Sequence, residues 1–368
     1  MPMKILIVGY NLHDSNLKNK SLVSGEIKNA NYLASALEEY VSVERISISL
    51  YGASDTKYSI KKSKLPGVLR WIAESRELNR LLRSYSDDWI LYLTIPSYLP
   101  FLRGTKRFKD IIITAHGTYW PELLADLMKE GNLFKRLVHL LNGYLQLLID
   151  KIAVSRANRI HSVSEFQVKE MLEVYKLNRS KVFALRNCSA FQCSGDSINR
   201  SIDFLWVGRL AKKKNIQLFQ RLAMHYQNSS TCIVAGNNYF SIDRASEEIV
   251  NDLKNFGTQV EKDLSDYELQ NVYRRSKVLV VTSIGYESIP TVIFEALSCG
   301  CEVIAPNSWG IPEITHSSLR LYKEGHVEDF MKVVDDTIKE YNNNNLNNIE
   351  VQHTWEETAQ EFIKNICE

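Results

Sequence analysis

The sequence lacks the cysteine spacing that marks a metal centre or a disulfide framework. Its 368 residues include six cysteines, but no two of them form a CxxC pair and no histidine-rich spacing accompanies them. Cys299 and Cys301 flank a glycine within an apolar run, which is typical of small buried side chains. We therefore expect no zinc site and no disulfide framework, and a reducing cytoplasm is the simplest compartment.

Long apolar runs are also missing. No window holds the roughly 18 consecutive apolar residues that a membrane-spanning helix needs. The opening segment, MPMKILIVGY, contains too short an apolar stretch for a secretory signal peptide. Neither GxGxxG nor a Walker lysine follows the first apolar run, where Gly9 stands alone. These absences argue against a dinucleotide-binding site and against a P-loop.

An excess of charge of one sign is absent from the whole chain but present in each half. The formal net charge is +2, which excludes an overall polyelectrolyte, and we expect no nucleic-acid partner. Residues 1–195 carry 28 Lys and Arg against 18 Asp and Glu, whereas the remainder carries 17 against 25. A basic first half indicates contact with a phosphorylated substrate or a membrane surface, and solvated surface charge is the alternative.

What the sequence does contain is a repeated alternation of apolar strands with amphipathic helices. Its length suits two domains, joined near the polar segment 189–201. The alternation predicts two parallel sheets with helices on both faces, and ligands in such sheets bind beyond the carboxyl ends of the strands. The predicted strands are 4–9, 43–50, 89–96, 110–117, 159–165, 204–210, 231–237, 278–283 and 302–306. The predicted helices are 27–40, 67–83, 133–156, 215–226, 265–276, 290–300 and 354–366.

The segment VGRLAKKKN places two cations around one turn of the second half. Arg209 lies at the carboxyl end of a predicted strand, and Lys214 lies where the next helix begins. A guanidinium fork and an ammonium at one loop suit a diphosphate. A basic surface turn is the alternative interpretation.

The segment IGYESIPTVIFEALSCGCEVIAP combines a helix start with two carboxylates. Pro290 suits the first helical position, so the N–H groups of Thr291 and Val292 would lie at the positive end of the helix dipole, where phosphate binds. Glu295, one turn further on, would reach the hydroxyls of a ribose, and Glu287 would reach hydroxyls on the other side of the phosphates. A surface loop with an incidental acid pair is the alternative.

These segments resemble the retaining glycosyltransferases of family 4, also called glycosyltransferase group 1. The family has a G-R-L-x-x-x-K-G turn and an E-x7-E segment followed by G-G-I-P-E, to which VGRLAKKKN and ESIPTVIFEALSCGCEVIAPNSWGIPEI are similar. In the first half, TAHGTYW (114–120), RIHSVSEFQVKEML (159–172) and RNCSAF (186–191) resemble the corresponding family segments. The resemblance covers nearly the whole chain.

The resemblance implies an α/β protein with the GT-B fold, in which two doubly wound Rossmann-like domains face a central cleft. Residues 1–190 would form the acceptor-binding domain, residues 191–345 would bind the nucleotide sugar, and residues 346–368 would form a helix that crosses back to the first domain. The implied reaction is retaining transfer of a hexose from a UDP- or GDP-linked sugar to a hydroxyl of a glycan or lipid-linked glycan, in cell-surface polysaccharide synthesis. No cofactor and no obligatory metal would be needed.

The resemblance also implies roles for single residues. The implied catalytic residues are His116, Glu287, Arg209 and Lys214. The implied donor-binding residues are Gly25, Arg209, Lys214, Ser288, Ile289, Pro290, Thr291, Val292 and Glu295. Arg209 and Lys214 would neutralise the donor diphosphate, and His116 would lie near the reacting sugar. A lone histidine at a strand end without a catalytic role is the alternative for His116.

The sequence departs from the family pattern at several positions that shape the site. Ser24 precedes Gly25 where the family often has two glycines. Asn215 replaces the glycine after the lysine, Ser288 the glycine after the first glutamate, and Trp309 the first glycine of G-G-I-P-E. None of these departures removes a charge, so they bear on the shape of the sugar pocket.

Partners and rival functions stay open at the level of sequence. Residues 133–156 mix Leu, Ile and Val with Lys135, Arg136 and Lys151, which fits a helix that rests on an anionic membrane or one that packs into the core. The basic stretches 57–64 and 103–109 are further candidates for phosphate or lipid head groups. We expect a cytoplasmic protein, or one that is peripheral at the inner face of the plasma membrane. A non-catalytic sugar-nucleotide-binding subunit and a nucleotide-sugar epimerase are the rival functions.

Overall fold

The computed structural model describes residues 3–12, 25–49, 58–65, 67–115, 133–191, 193, 199–236, 243–262, 264–344 and 353–367. The chain divides into two compact units. The first unit extends to Arg186 and also contains the segment from Trp355 onward, and the second unit comprises Asn187–Thr354. The boundary therefore lies four residues before the position expected from the sequence, residue 190.

The first unit is built on a parallel sheet of seven strands. Their order is β3-β2-β1-β4-β5-β6-β7. The central strands are continuous apolar runs because helices cover both faces of the sheet, as in β1, where Ile5, Leu6 and Ile7 are fully buried. The strands are β1 (Lys4–Tyr10), β2 (Ser42–Ser49), β3 (Tyr58–Lys61), β4 (Trp89–Leu93), β5 (Asp110–Ala115), β6 (Arg159–Ser162) and β7 (Val182–Ala184).

In the described part of the first unit, four helices lie between these strands. They are α1 (Gly25–Leu37), α2 (Gly67–Leu82), α3 (Leu133–Arg156) and α4 (Glu165–Tyr175). Helix α4 begins after Ser164, whose side chain accepts a hydrogen bond from the N–H of Gln167, a normal N-cap. Among the described helices we find none with both the length and the apolar character that crossing a membrane would require.

The second unit repeats this architecture with a parallel sheet of six strands, in the order β10-β9-β8-β11-β12-β13. The strands are β8 (Ile202–Arg209), β9 (Thr231–Gly236), β10 (Gln259–Lys262), β11 (Ser276–Val280), β12 (Glu302–Pro306) and β13 (Leu319–Tyr322). The helices are α5 (Ile216–His225), α6 (Arg244–Asn255), α7 (Asp266–Arg274), α8 (Thr291–Ser298) and α9 (Val327–Asn344). A capping box at Ser265 begins α7, and Gly300, with φ of 71°, ends α8.

The last helix, α10 (Trp355–Cys367), follows the second unit in sequence but belongs to the first. The ring of Phe362 is fully buried and lies 5.1 Å from that of Tyr92 and 6.0 Å from those of His161 and Phe183, measured between centroids. Arg159 donates a hydrogen bond to the carbonyl of Asn365 at 2.7 Å. Contacts with strands β4, β6 and β7 thus fix α10 to the first unit.

Two expectations from the sequence were wrong in detail. The structure joins Cys193 to Cys299 by a disulfide, although no disulfide was expected. These residues are 106 positions apart, and their spacing could not reveal that the fold brings their Cα atoms to 4.9 Å. Pro290 is the N-cap residue of α8 rather than its first helical residue, since its ψ of 125° is extended.

Candidate active site

The cationic turn after β8 is fixed by contacts with the segment that follows β11. Arg209 is the exposed last residue of β8, and a short 3-10 turn, Lys212–Lys214, precedes α5. The carbonyl of Lys214 accepts a hydrogen bond of 2.6 Å from the hydroxyl of Thr282, which itself accepts from the indole N–H of Trp206 at 3.0 Å. The buried Trp206 thereby positions the backbone of the lysine.

Asn215 explains one departure from the family pattern. Its φ of 46° lies in the left-handed region, where glycine meets no steric penalty and asparagine is among the few other residues that are tolerated. The turn therefore has the conformation for which a glycine would be suited. Asn215 keeps that conformation, and α5 begins directly after it.

Lys214 and Glu287 form an ion pair at the centre of the site. Nζ of Lys214 lies 2.5 Å from Oε2 of Glu287, and the two side chains are only 17% and 16% exposed. Burial alone would raise the pKa of Glu287. The charges of Lys214 and Lys213, with hydrogen bonds from Lys214 and Ser283, outweigh burial and lower that pKa below its ordinary value. Glu287 is therefore a carboxylate at neutral pH.

Helix α8 begins four residues after Glu287. The N–H groups of Thr291 and Val292 belong to the first turn, where no preceding helical carbonyl can accept them. Ile293 donates to the carbonyl of Pro290 at 3.2 Å. The entrance to α8 thus combines N–H donors with the positive end of a helix dipole, an arrangement that attracts phosphate.

Gly310 supports the segment that leads into α8. A Cβ atom at this position would lie 2.3 Å from the carbonyl oxygen of Ser288 and 3.0 Å from a side-chain carbon of Ile289. Only glycine permits this approach without movement of the backbone. Trp309, which stands where the family has its first glycine, has a φ of 58° and packs edge-on against Tyr286, with a centroid distance of 5.3 Å.

Glu295 is buried within α8 and contacts a partner that the sequence did not reveal. The hydroxyl of Tyr273 donates to Oε2 of Glu295 at 2.9 Å. Burial first, and then the charge of Glu295, raise the pKa of Tyr273 well above its ordinary value, so the phenol keeps its proton. Tyr273 lies on α7, 22 residues before Glu295, and no motif links the two.

The structure brings together only part of the predicted site set. Lys214 and Glu287 are in direct contact, and Ser288, Ile289, Pro290, Thr291 and Val292 continue the same segment into α8. Arg209 lies on the strand that leads into the lysine turn. Gly25 is the first residue of α1 in the first unit. His116 lies outside the described residues.

Sequence reasoning missed the residues that hold the charged groups in place. Lys213, Thr282 and Ser283 act on the lysine turn or on Glu287. Lys213 lies within the segment VGRLAKKKN, and Thr282 and Ser283 directly precede the segment that begins at Ile284, which is the one signal that pointed to them. Within the described ranges, no group of three or more His, Cys, Asp or Glu side chains is arranged to hold a metal ion.

Comparison with known families gives a match that covers most of the second unit and extends into α10. Residues 195–362 match the family model described as glycosyl transferases group 1. This part of the chain is similar to that family. The match includes both the lysine turn and the segment from Glu287 to Glu295. No curated protein sequence matches the chain.

Solved structures extend the likeness in fold to the whole chain. The catalytic domain of starch synthase IV from Arabidopsis thaliana, bound to ADP and acarbose, has a TM-score of 0.70 at 13% identity, covering 100% of this chain and 99% of that one. Anabaena HepE in complex with UDP-glucose has a TM-score of 0.66 at 14% identity, with coverages of 98% and 94%. The lipopolysaccharide outer core galactosyltransferase WaaB has a TM-score of 0.64 at 15% identity, with 99% of each chain covered. The fold class is GT-B, as expected from the sequence.

Proposed function

We propose that this protein is a retaining hexosyltransferase of glycosyltransferase family 4. It transfers a hexose from a UDP- or GDP-linked sugar to a hydroxyl of a glycan or lipid-linked glycan acceptor. The observation that carries the proposal is the 2.5 Å contact between Lys214 and Glu287, close to the start of α8 and within the residues that match the group 1 family model.

The donor diphosphate is assigned to the cations and the helix entrance. Arg209 offers a planar fork of donors, whereas Lys214 offers three rotatable N–H donors, so it can contact a phosphate oxygen while it keeps Glu287. The first turn of α8 supplies further N–H groups. As the bond to the sugar breaks, negative charge grows on the leaving diphosphate, and these fixed donors stabilise it.

The two carboxylates are assigned to hydroxyl groups of the donor. Glu287 accepts from the transferred sugar, and Glu295 accepts from the ribose. A carboxylate has about four lone-pair sites, so Glu295 can accept from a ribose hydroxyl while it also accepts from Tyr273. Tyr273 is protonated at neutral pH, and its hydrogen bond fixes the direction of the Glu295 side chain.

The acceptor is assigned to the first unit, with His116 near the reacting sugar and Gly25 near the donor. The leaving oxygen itself takes the acceptor proton, so no separate strong base is required. Among the similar structures, one contains UDP-glucose, one contains ADP and acarbose, and one acts in the lipopolysaccharide outer core. These likenesses support a nucleotide-sugar donor, a glycan acceptor and a role in cell-surface polysaccharide synthesis. We also propose that the protein makes peripheral contact with an anionic membrane, at the inner face of the plasma membrane. The transfer reaction is proposed to need no metal ion.

The proposal is tested by a thermal-shift screen of UDP-, GDP- and ADP-linked hexoses on the purified chain. A donor at 100 times its Kd stabilises a folded protein by about 2.7 kcal/mol, which raises Tm measurably. The donor that binds is then incubated with the protein, with and without EDTA, and its products are separated. Release of the nucleotide in both samples supports the proposal. Failure of every nucleotide sugar to raise Tm refutes it, and release of an altered nucleotide sugar without an acceptor assigns an epimerase instead.

A further inference from the structure

Helix α3 presents an apolar face to solvent. Seven of its large apolar side chains are exposed, and Tyr144 and Leu141 are the most exposed at 71% and 62%. At 3.6 residues per turn, these side chains fall within an arc of about 140° and extend over about 22 Å. We call them the α3 face; its members are Leu137, Leu140, Leu141, Tyr144, Leu145, Leu148 and Ile152.

The opposite side of α3 holds the helix on the first unit. Ile149, Ala153 and Val154 are buried there. The guanidinium of Arg156 donates to the carbonyls of Pro100 and Leu102 at 3.0 and 2.8 Å. The core of the first unit therefore already contains the apolar side chains on this side of α3. The α3 face is a second apolar surface that packing in the first unit does not need, although the sequence allowed a purely buried helix.

Among the described residues, several cations lie on α3 or on segments bonded to its end. Lys151 is exposed and lies on the same side of the helix as the face. The segment tied to the end of α3 by Arg156 carries the exposed Arg103 and Lys106, and Lys181 donates to the carbonyl of Ser155 at 3.3 Å. Cations beside an exposed apolar stripe complement an anionic lipid surface, which attracts Lys and Arg side chains.

The one carboxylate of α3 points away from this face. Asp150 lies on the inner side of the helix, where Gln146 donates to it at 2.8 Å. Burial raises the pKa of Asp150 to about 6, so its charge is partly lost in mildly acidic conditions and never opposes a lipid head group directly. A second copy of the chain fits less well, because two such faces would bring together the like charges of Lys151, Arg103 and Lys106.

We propose that the α3 face is the surface by which this protein lies on an anionic bilayer. The apolar side chains insert at the level of the acyl boundary, and Arg103, Lys106 and Lys151 contact the head groups. This inference rests on the proposed function in one respect, because contact with a membrane brings the protein to a lipid-linked acceptor. The contact itself needs neither donor nor acceptor.

The test is co-sedimentation of the full chain with vesicles, without any nucleotide sugar. One set contains phosphatidylcholine alone and the other contains about 30% phosphatidylglycerol. The test variant is L141Q/Y144S/L148Q, which removes three members of the α3 face. The matched control is M224Q/F256S/Y267S, which removes three exposed apolar side chains from the second unit, including Phe256 at 80% exposure.

We expect the unaltered chain and the control to bind the anionic vesicles, and the α3 variant to bind about tenfold more weakly or less, because the lost side chains account for most of the inserted area. Equal binding by all three proteins, or equal binding to neutral vesicles, would overturn the proposal. A chain that dimerises in light-scattering measurements, becomes monomeric in the α3 variant and ignores vesicles would assign the face to a second copy. Since all changed residues are exposed, circular dichroism should show unchanged folding.

The vesicle experiment and the donor screen test the membrane surface and the proposed function independently of each other. A chain that binds anionic vesicles but gives no thermal shift with any nucleotide sugar would keep the membrane surface and lose the proposed function. A chain that binds a donor but no vesicle would lose the membrane surface alone. The α3 variant should keep the donor-induced thermal shift of the unaltered protein.

Discussion

Lys214 contributes to the candidate site as one member of a largely buried ion pair. Its replacement by alanine removes the ammonium group and leaves the Glu287 carboxylate without its strongest neighbouring charge. By comparison with the loss of one fixed charge-stabilising donor, we expect the turnover number of the transferase to fall by about 100-fold or more. Lys214→Arg should recover part of that loss, because it restores the charge with a different geometry.

The control for this experiment lies in the same turn. Lys212 is exposed, whereas Lys214 is not, so Lys212→Ala should leave turnover nearly unchanged. Thermal unfolding of both variants separates a loss of chemistry from a loss of folding. An equal effect of the two substitutions on turnover would show that the turn acts through its overall positive charge, and the assigned role of Lys214 would then be wrong.

The lowered pKa of Glu287 fixes the pH dependence expected of the ion pair. A carboxyl group with a lowered pKa in the folded state stabilises the fold above its ordinary pKa, and this contribution is lost as pH falls through the lowered value. The pair is therefore intact at pH 5 and above. Donor binding measured between pH 6 and 8 should not reveal a titration of Glu287, and in Glu287→Gln this charge is absent at every pH.

At the scale of single elements, the support that Gly310 gives to the entrance of α8 can be tested sterically. Gly310→Ala places a methyl group against the backbone of Ser288, so the segment from Ser288 to Pro290 must move. We expect a loss of about 1–3 kcal/mol in the free energy of unfolding, as for other overpacked positions, together with weaker donor binding. Calorimetric unfolding and donor titration measure the two effects.

Gly236 offers the matched glycine for that comparison. A Cβ atom there would meet its nearest neighbour, a carbon of Arg209, at 3.9 Å, which is ordinary van der Waals contact. Gly236→Ala should therefore be well tolerated. If Gly310→Ala binds the donor as tightly as Gly236→Ala does, the position of the α8 entrance does not depend on this close contact.

The pattern of elements shows what a sequence can predict and where it stops. Buried strands such as β1 and β12 could be predicted because each is an apolar run between turns. Every predicted helix corresponds to a helix of the structure whose ends lie within a few residues of the predicted ones. All four edge strands, β3, β7, β10 and β13, were missed. Two of them bury little, since Ile60 is the one buried residue of β3 and β10 has none. The other two are short, with three residues in β7 and four in β13. A strand without an apolar face carries no periodic signal.

The candidate site divides in a similar way. Motif resemblance singled out Lys214, Glu287 and Glu295 individually, because each belongs to a compact segment. Motif resemblance could not predict the contacts between segments. Lys214 contacts Glu287, which lies 73 positions further along the chain, and Tyr273 contacts Glu295 from another helix. Cys193 and Cys299 are a third such pair. Pairings of this kind arise from the tertiary fold, which local spacing does not encode.

At the scale of the whole molecule, the chain leaves its first unit at Arg186 and returns to it at Trp355. The last helix of the first unit, α10, is therefore synthesised only after the second unit. Helix α10 completes the core of the first unit. Phe362 fills a site formed by the rings of Tyr92, His161 and Phe183. Phe362→Ala should lower the free energy of unfolding of the first unit by about 3–5 kcal/mol, the range observed for large buried aromatic deletions.

Hydrogen exchange followed by mass spectrometry can assign that loss to one unit. In Phe362→Ala, peptides from β4 and β6 should exchange faster, while peptides from β8 and β12 keep their protection, because α10 packs in the first unit. Lys364→Ala, an exposed change on the same helix, should leave both sets unchanged. Equal acceleration in the two sheets would mean that the units open as one cooperative body, and α10 would then stabilise the whole chain rather than the unit in which it lies.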